Sequence, residues 1–351
     1  MQIVLANPRG FCAGVRMAID VVDQVLDIVG DDETIYVYHE IVHNKHVVDR
    51  FEGRGVVFVD DLEEVPEGAI VVFSAHGVSP AIREQAQARN LRAVDATCPL
   101  VTKVHSRAIR YAKQGYQILL VGHKNHQEIT GTYGEAPEQT QVVESVECIP
   151  HLRIDDPDKL VYLTQTTLSV DDANVIISAL KEAFPNIKEP PSEDICYATT
   201  NRQSAVRQIS PHCDLVIVVG SQNSSNSVRL TEIAENSGTR GVRIDDVSEL
   251  DPSWYPNGDE RILLTAGASA PEDLVSTICR HFVEKHGATL HLADLFEETV
   301  EFGLPLTLKK LMEEHDIDHR DRRVRVEPPV ITEGEYGTVA VPLTISTGGA
   351  S

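Results

Sequence analysis

The chain has 351 residues, enough for two or three domains that each bury a core, and its composition, 42% hydrophobic and 24% charged, is that of a water-borne globular protein. A net charge of −23, from 54 acidic against 31 basic residues, excludes nucleic-acid binding by a basic face and favours positively charged partners. With no basic leader before the first apolar stretch and no apolar segment long enough to span a bilayer, the expectation is a cytoplasmic protein with reduced thiols and no membrane contact.

In chain order, short apolar strands alternate with helices. Residues 3–5 lead into a helix in which Val15, Ala18, Ile19, Val22, Leu26 and Val29 recur at helical spacing up to Gly30. Strands at 35–38, 55–59 and 70–73 precede helices near 80–90 and 100–113; strands at 118–121 and 160–163 precede helices near 171–183 and 198–209. The run from Leu215 to Val219, a helix near 227–236, a strand at 262–264 and a helix near 271–285 complete the series. Strands that are near-continuous apolar runs, separated by helices, predict α/β modules with largely parallel sheets. Borders near Asp95 and Pro190-Pro191-Ser192 divide the chain into modules at 1–95, 96–192 and 193–285, followed by a C-terminal segment at 286–351. From about Leu311 the character changes: a basic run, His319 to Arg325, precedes a stretch with Pro and Gly that reads as an appended tail.

Polar motifs cluster where the strands end, at Ser74-Ala75-His76-Gly77, Gly122-His123, Thr164 to Thr167, Ser221 to Ser227 and Thr265 to Ser269. Ligands of open α/β sheets bind outside the carboxyl ends of the strands, so these motifs point to one site. Neither a Walker A pattern nor a GxGxxG fingerprint is present, which leaves a bound nucleotide without support.

Cys12, Cys98 and Cys196 each follow an extended or irregular segment and precede a helical one, 86 and 98 residues apart, about the size of a small domain. Three modules bringing one thiolate each to a shared centre suggest a metal or an iron–sulfur cluster with one position left for chemistry. Cys148, Cys213 and Cys279 lie in ordinary polar or apolar surroundings and read as structural. No CxxC pair occurs, which excludes zinc-ribbon and two-cluster ferredoxin spacings. His43, His76 and His126 add imidazoles, Ser224, Ser225, Asn226 and Ser269 add neutral donors suited to a phosphate group, and Glu128 is the motif carboxylate placed to move a proton.

The segments Asn7–Gly14, Ile41–Asn44, Phe73–Ser79, Asp95–His105, Thr164–Ser169, Asp194–Gln203, Asn223–Ser227 and Thr265–Pro271 together resemble the 4-hydroxy-3-methylbut-2-enyl diphosphate reductase (LytB/IspH) family, over roughly residues 1–310 and in the expected order. The resemblance implies three similar α/β modules in pseudo-threefold arrangement around a central 4Fe-4S cluster, one per chain, held by Cys12, Cys98 and Cys196. It implies reductive removal of the substrate's allylic hydroxyl as water, giving isopentenyl and dimethylallyl diphosphates, the last step of the methylerythritol phosphate route to isoprenoids. By motif match, His43, His76, Ser224, Ser225, Asn226 and Ser269 fall at diphosphate-binding positions, and His126, Glu128 and Thr166 near the hydroxyl and its proton supply. Flavodoxin or ferredoxin is the electron donor that the resemblance implies. Two departures stand out: Gln127 replaces a proline found in many members, and the tail has no counterpart in compact ones. A zinc hydrolase using Glu128 and a non-catalytic module with a structural metal are the competing readings; the missing HExxH motif and CxxC pairs count against the first, and three cysteines without an obvious fourth ligand against the second.

Overall fold

Three runs of buried Val, Ile and Leu nucleate three separate parallel sheets in this computed structural model, which describes residues 1–30 and 32–320. After β1 (Gln2–Asn7) and α1 (Ala13–Val29), the chain builds β2 (Ile35–Tyr38), α2 (Lys45–Glu52), β3 (Val57–Val59), β4 (Ile70–Phe73), α3 (Pro80–Ala88) and β5 (Arg92–Asp95). These four later strands form a sheet of order β3-β2-β4-β5. Next come α4 (Pro99–Lys113), β6 (Gln117–Val121), α5 (Gln127–Gly134), β7 (Thr140–Val143), β8 (Leu160–Thr164) and α6 (Val170–Ala183), with sheet order β7-β6-β8. The third unit contains α7 (Tyr197–Ile209), β9 (Leu215–Val219), α8 (Ser225–Asn236), β10 (Arg240–Ile244), β11 (Arg261–Ala266), α9 (Glu272–His286) and β12 (Thr289–Asp294). Every strand pairing within the three sheets is parallel, as the apolar runs predict.

Two expectations change at the chain ends. The sequence reading counts β1 with residues 1–95, yet β1 sits between β11 and β12 in the five-stranded sheet β10-β9-β11-β1-β12. Ile3, Val4, Leu5 and Ala6 are fully covered there, as an apolar run in a parallel sheet packed on both faces should be. α1 then leaves that sheet and packs Ala18, Val21, Val22 and Val25 against Ile35, Val37, Ile70 and Val72 of the four-stranded sheet. The second change concerns the tail border. Leu311 lies inside α10 (Leu306–Glu314), whose Leu308, Leu311 and Met312 are buried in that same core, with Ile317 packed beside them. An appended tail beginning at Leu311 would cut through a helix, so the integrated fold extends at least to Ile317. The basic run starts at His319, and most of it, with the Pro- and Gly-containing end, lies outside the described residues. No described helix is long and apolar enough to cross a membrane.

Candidate active site

Each of the three singled-out cysteines is the N-cap of a helix: Cys12 of α1, Cys98 of α4 and Cys196 of α7. Each also donates its backbone N–H to a carbonyl in another polar loop. Cys12 bonds Ala268 O at 3.2 Å, Cys98 bonds Ala75 O at 3.0 Å and Cys196 bonds Thr166 O at 3.0 Å. The loops that carry the thiols are thereby tied to those that carry Ser269, His76 and Thr166. The Cys12 loop is further held by Arg202, fully buried, which donates through Nη2 to Gly10 O at 2.7 Å and pairs with Glu298 at 2.9 Å.

All twelve site residues expected from the sequence line a single cavity. A roomier cavity lies beside the Cys12 loop, lined by Arg9, Arg16, Phe296 and Glu298, but none of the three thiols or the motif histidines reaches it, so it is not the reactive centre.

The thiols fit a cluster. A Cβ added at Gly14 would fall well inside contact distance of Cys98 Sγ and 4.0 Å from Cys12 Sγ, so this glycine keeps open the space between two sulfurs. Burial pushes the Cys196 thiol up to about 11 and the Cys98 thiol further, with neighbouring Cys12 adding to both. Helix N-termini favour thiolate, but burial dominates here, so these groups lose their protons only when a cation is bound. Among the described residues no group of three or more His, Cys, Asp or Glu side chains is close enough to share one metal ion. Thiols spread around a cavity suit a polynuclear centre better than the single zinc of the hydrolase reading. Cys279 is buried on α9 among apolar side chains, and Cys148 and Cys213 lie away from the cavity.

At one end of the cavity the rings of His43 and His76 stack with centroids 4.1 Å apart, and His126 meets them edge-on at 5.5 and 5.8 Å. Burial, then His43, holds His126 down at about 3; burial, His43 and His126 hold His76 well below the usual imidazole range. Both rings are therefore neutral at physiological pH. His126 Nδ1 accepts from Glu128 N–H at 3.2 Å, which leaves its ring proton on Nε2. α8 opens on Ser224, Ser225 and Asn226, and its N-terminal N–H groups add an anion-binding face. Asn226 Oδ1 accepts from Ala268 N–H at 2.9 Å, while its Nδ2 is buried without a partner, a donor waiting for an acceptor. Ser269 Oγ lies 2.9 Å from His43 O and 3.3 Å from Ser224 Oγ, joining the first and third modules.

Glu128 is buried on α5. Its Oε1 accepts from Thr166 N–H at 2.6 Å and its Oε2 from Thr166 Oγ1 at 2.9 Å. Burial outweighs these bonds and pushes the carboxyl up to about 7. The group is thus poised to hold or release a proton near neutral pH. Gln127, the first residue of α5, turns its amide to His76. Sequence reading registered Gln127 only as a departure and missed Gly14, although a glycine two residues after a ligand cysteine at a helix start is a legible signal of crowding.

The LytB protein family model matches residues 3–283. A relative from Nocardia farcinica named 4-hydroxy-3-methylbut-2-enyl diphosphate reductase is 52% identical over 309 residues, 88% of this chain and 91% of that one. The solved E-1-hydroxy-2-methyl-but-2-enyl-4-diphosphate reductase of Plasmodium falciparum is similar with a TM-score of 0.86 and 42% identity, covering 90% of this chain and 99% of its own. A second solved reductase, described as the terminal enzyme of the non-mevalonate pathway, aligns with a TM-score of 0.59 and 30% identity over 81% of this chain. On the family match and on half-identity across most of its length, the chain belongs to the LytB family.

Proposed function

We propose that this chain is an iron–sulfur reductase that converts 4-hydroxy-3-methylbut-2-enyl diphosphate to isopentenyl and dimethylallyl diphosphates, the last step of the methylerythritol phosphate route. The observation that carries the reading is the convergence of three N-cap thiols, three histidines and the Glu128–Thr166 pair on one cavity. Cys12, Cys98 and Cys196 would hold one 4Fe-4S cluster per chain, which supplies electrons and Lewis acidity when bound.

The protein's own groups do the rest. The stacked His43 and His76, with Ser224, Ser225, Asn226 and Ser269, bind the diphosphate, the orphaned Asn226 Nδ2 finding its acceptor there. Glu128 holds a proton, and Thr166 Oγ1, 2.9 Å away, relays it towards the departing hydroxyl, which leaves as water. His126 steadies the hydroxyl end through Nε2–H. Two electrons and two protons are consumed, the electrons coming from a flavodoxin- or ferredoxin-type protein. We place the enzyme in the cytoplasm, where six free cysteines stay reduced, and take module borders near 95 and 192. The test is an anaerobic assay with reduced methyl viologen and the hydroxylated diphosphate: both products are expected, and protein that purifies with stoichiometric zinc and gives neither overturns the reading.

A further inference from the structure

One charged side chain outside the twelve joins two loops at the diphosphate end of the cavity. Glu40 Oε2 accepts from His43 Nδ1–H at 3.1 Å and from Asn223 Nδ2 at 2.7 Å. Asn223 directly precedes Ser224, so a single carboxylate oxygen links a histidine of the first module to the serine loop of the third. The same two loops are also tied by Lys45 N–H, which donates to Ser221 Oγ at 3.1 Å. The backbone turns sharply to deliver Glu40. His39, immediately before it, sits in the left-handed region at φ 60°, held by its N–H to Val59 O at 2.8 Å and by its ring on Asp60 at 2.8 Å. Non-glycine residues adopt that conformation only where the surroundings enforce it.

The chemistry follows from valence. A carboxylate only accepts hydrogen bonds, so the proton on the His43 ring sits on Nδ1 and Nε2 is left free. The bond from His43 holds the Glu40 carboxyl below its usual range, which keeps it ionised at neutral pH. With Nδ1 engaged by the carboxylate, Nε2 is the ring atom turned towards an arriving phosphate group.

We infer that Glu40 is a positioning residue for the substrate's diphosphate: it fixes His43 in the orientation that turns Nε2 to the phosphate and locks that ring to the Ser224 loop. The inference rests on the cavity being a diphosphate site. Its test measures inorganic pyrophosphate binding by calorimetry, and KM and kcat, on the anaerobic reconstituted holoenzyme. Glu40→Ala should weaken pyrophosphate binding and raise KM about thirtyfold, the scale of one lost charge-assisted bond, with kcat moving far less. Glu40→Gln, which keeps an acceptor for Nδ1–H without the charge, should recover part of that loss. In a His43→Ala background the Glu40→Ala penalty should shrink to about twofold, because the carboxylate acts through the ring. An undiminished penalty in that background, or wild-type affinity in Glu40→Ala, overturns the inference. Should Glu40→Ala not fold, the near-isosteric Glu40→Gln and Asn223→Ala decide it: unchanged affinity in both is refutation. Wild-type enzyme that fails to bind pyrophosphate at all overturns the diphosphate reading itself, a result distinct from either.

Discussion

Glu128→Gln separates the proton from the fold. The glutamine carbonyl can still accept from Thr166 N–H, now at 2.6 Å from Oε1, and its amide can donate to Thr166 Oγ1 where Oε2 now accepts at 2.9 Å. Packing around the buried site is therefore preserved, and the variant should bind its cluster and its substrate. Turnover should nonetheless fall by about two orders of magnitude, the scale of a missing general acid. Burial raises this carboxyl from 4.5 to about 7. A raised carboxyl binds its proton more tightly in the folded state, so its stabilising contribution is complete below 4.5 and is lost as pH rises through about 7. Over that window the wild type should lose about 3 kcal/mol of stability that the glutamine variant does not lose. Anaerobic unfolding at pH 5 and pH 8 reads the difference: the variant's midpoint should gain on the wild type as pH rises. The wild-type rate should also decline above about pH 7 as the acid ionises, with no corresponding limb in the variant. A variant that turns over near the wild-type rate with full cluster content, or that shows no pH-dependent gain in stability, refutes the assignment.

Replacing Cys12, Cys98 or Cys196 with Ser should each abolish the cluster, measured as iron and sulfide after anaerobic reconstitution, whereas Ser at 148, 213 or 279 should leave it intact. Gly14→Ala should lower iron content with little change in secondary structure, because the added methyl enters the space beside Cys98 Sγ. Truncation after Arg320 should retain turnover with an artificial reductant. Truncation at Leu311 should not: Met312 is fully buried, and removing it with the last turn of α10 should cost several kcal/mol, read as a lower unfolding midpoint.

Every strand that sequence reading missed lies at a sheet edge, although two edge strands, β3 and β8, were read correctly. β1, β2, β4, β6, β9 and β11 are inner strands, and each, like the fully buried edge strand β8, reads as an apolar run. β5, β7, β10 and β12 are all edge strands, and their sequences Arg92-Ala93-Val94-Asp95 or Arg240-Gly241-Val242-Arg243-Ile244 carry the charges that edges tolerate. The missed helices α2, α5 and α10 span only eight or nine residues and carry a weak periodic signal; α3, equally short, was legible beside Ser79-Pro80, a helix-start pair. At the site, motif residues were legible because several polar types stand together after an apolar strand. Glu40 was not, since a single acid three residues before a histidine in a loop has no periodicity, and its partner Asn223 lies 183 residues away.

β1 is made first and completed last. Its partners β11 and β12 begin at Arg261 and Thr289, so at ribosomal speeds of 5–20 residues per second roughly 10–50 s pass before either neighbour exists. The Cys12 loop depends on the same late chain, because Gly10 and Cys12 hydrogen-bond to Ala266 and Ala268 and Arg202 reaches Gly10 only with Glu298 behind it. During that interval the exposed apolar strand is a liability for aggregation and the first thiol has no fixed position. On the proposed function, Cys12, the first of the three cysteines to leave the ribosome, gains its fixed position only once the chain is nearly complete.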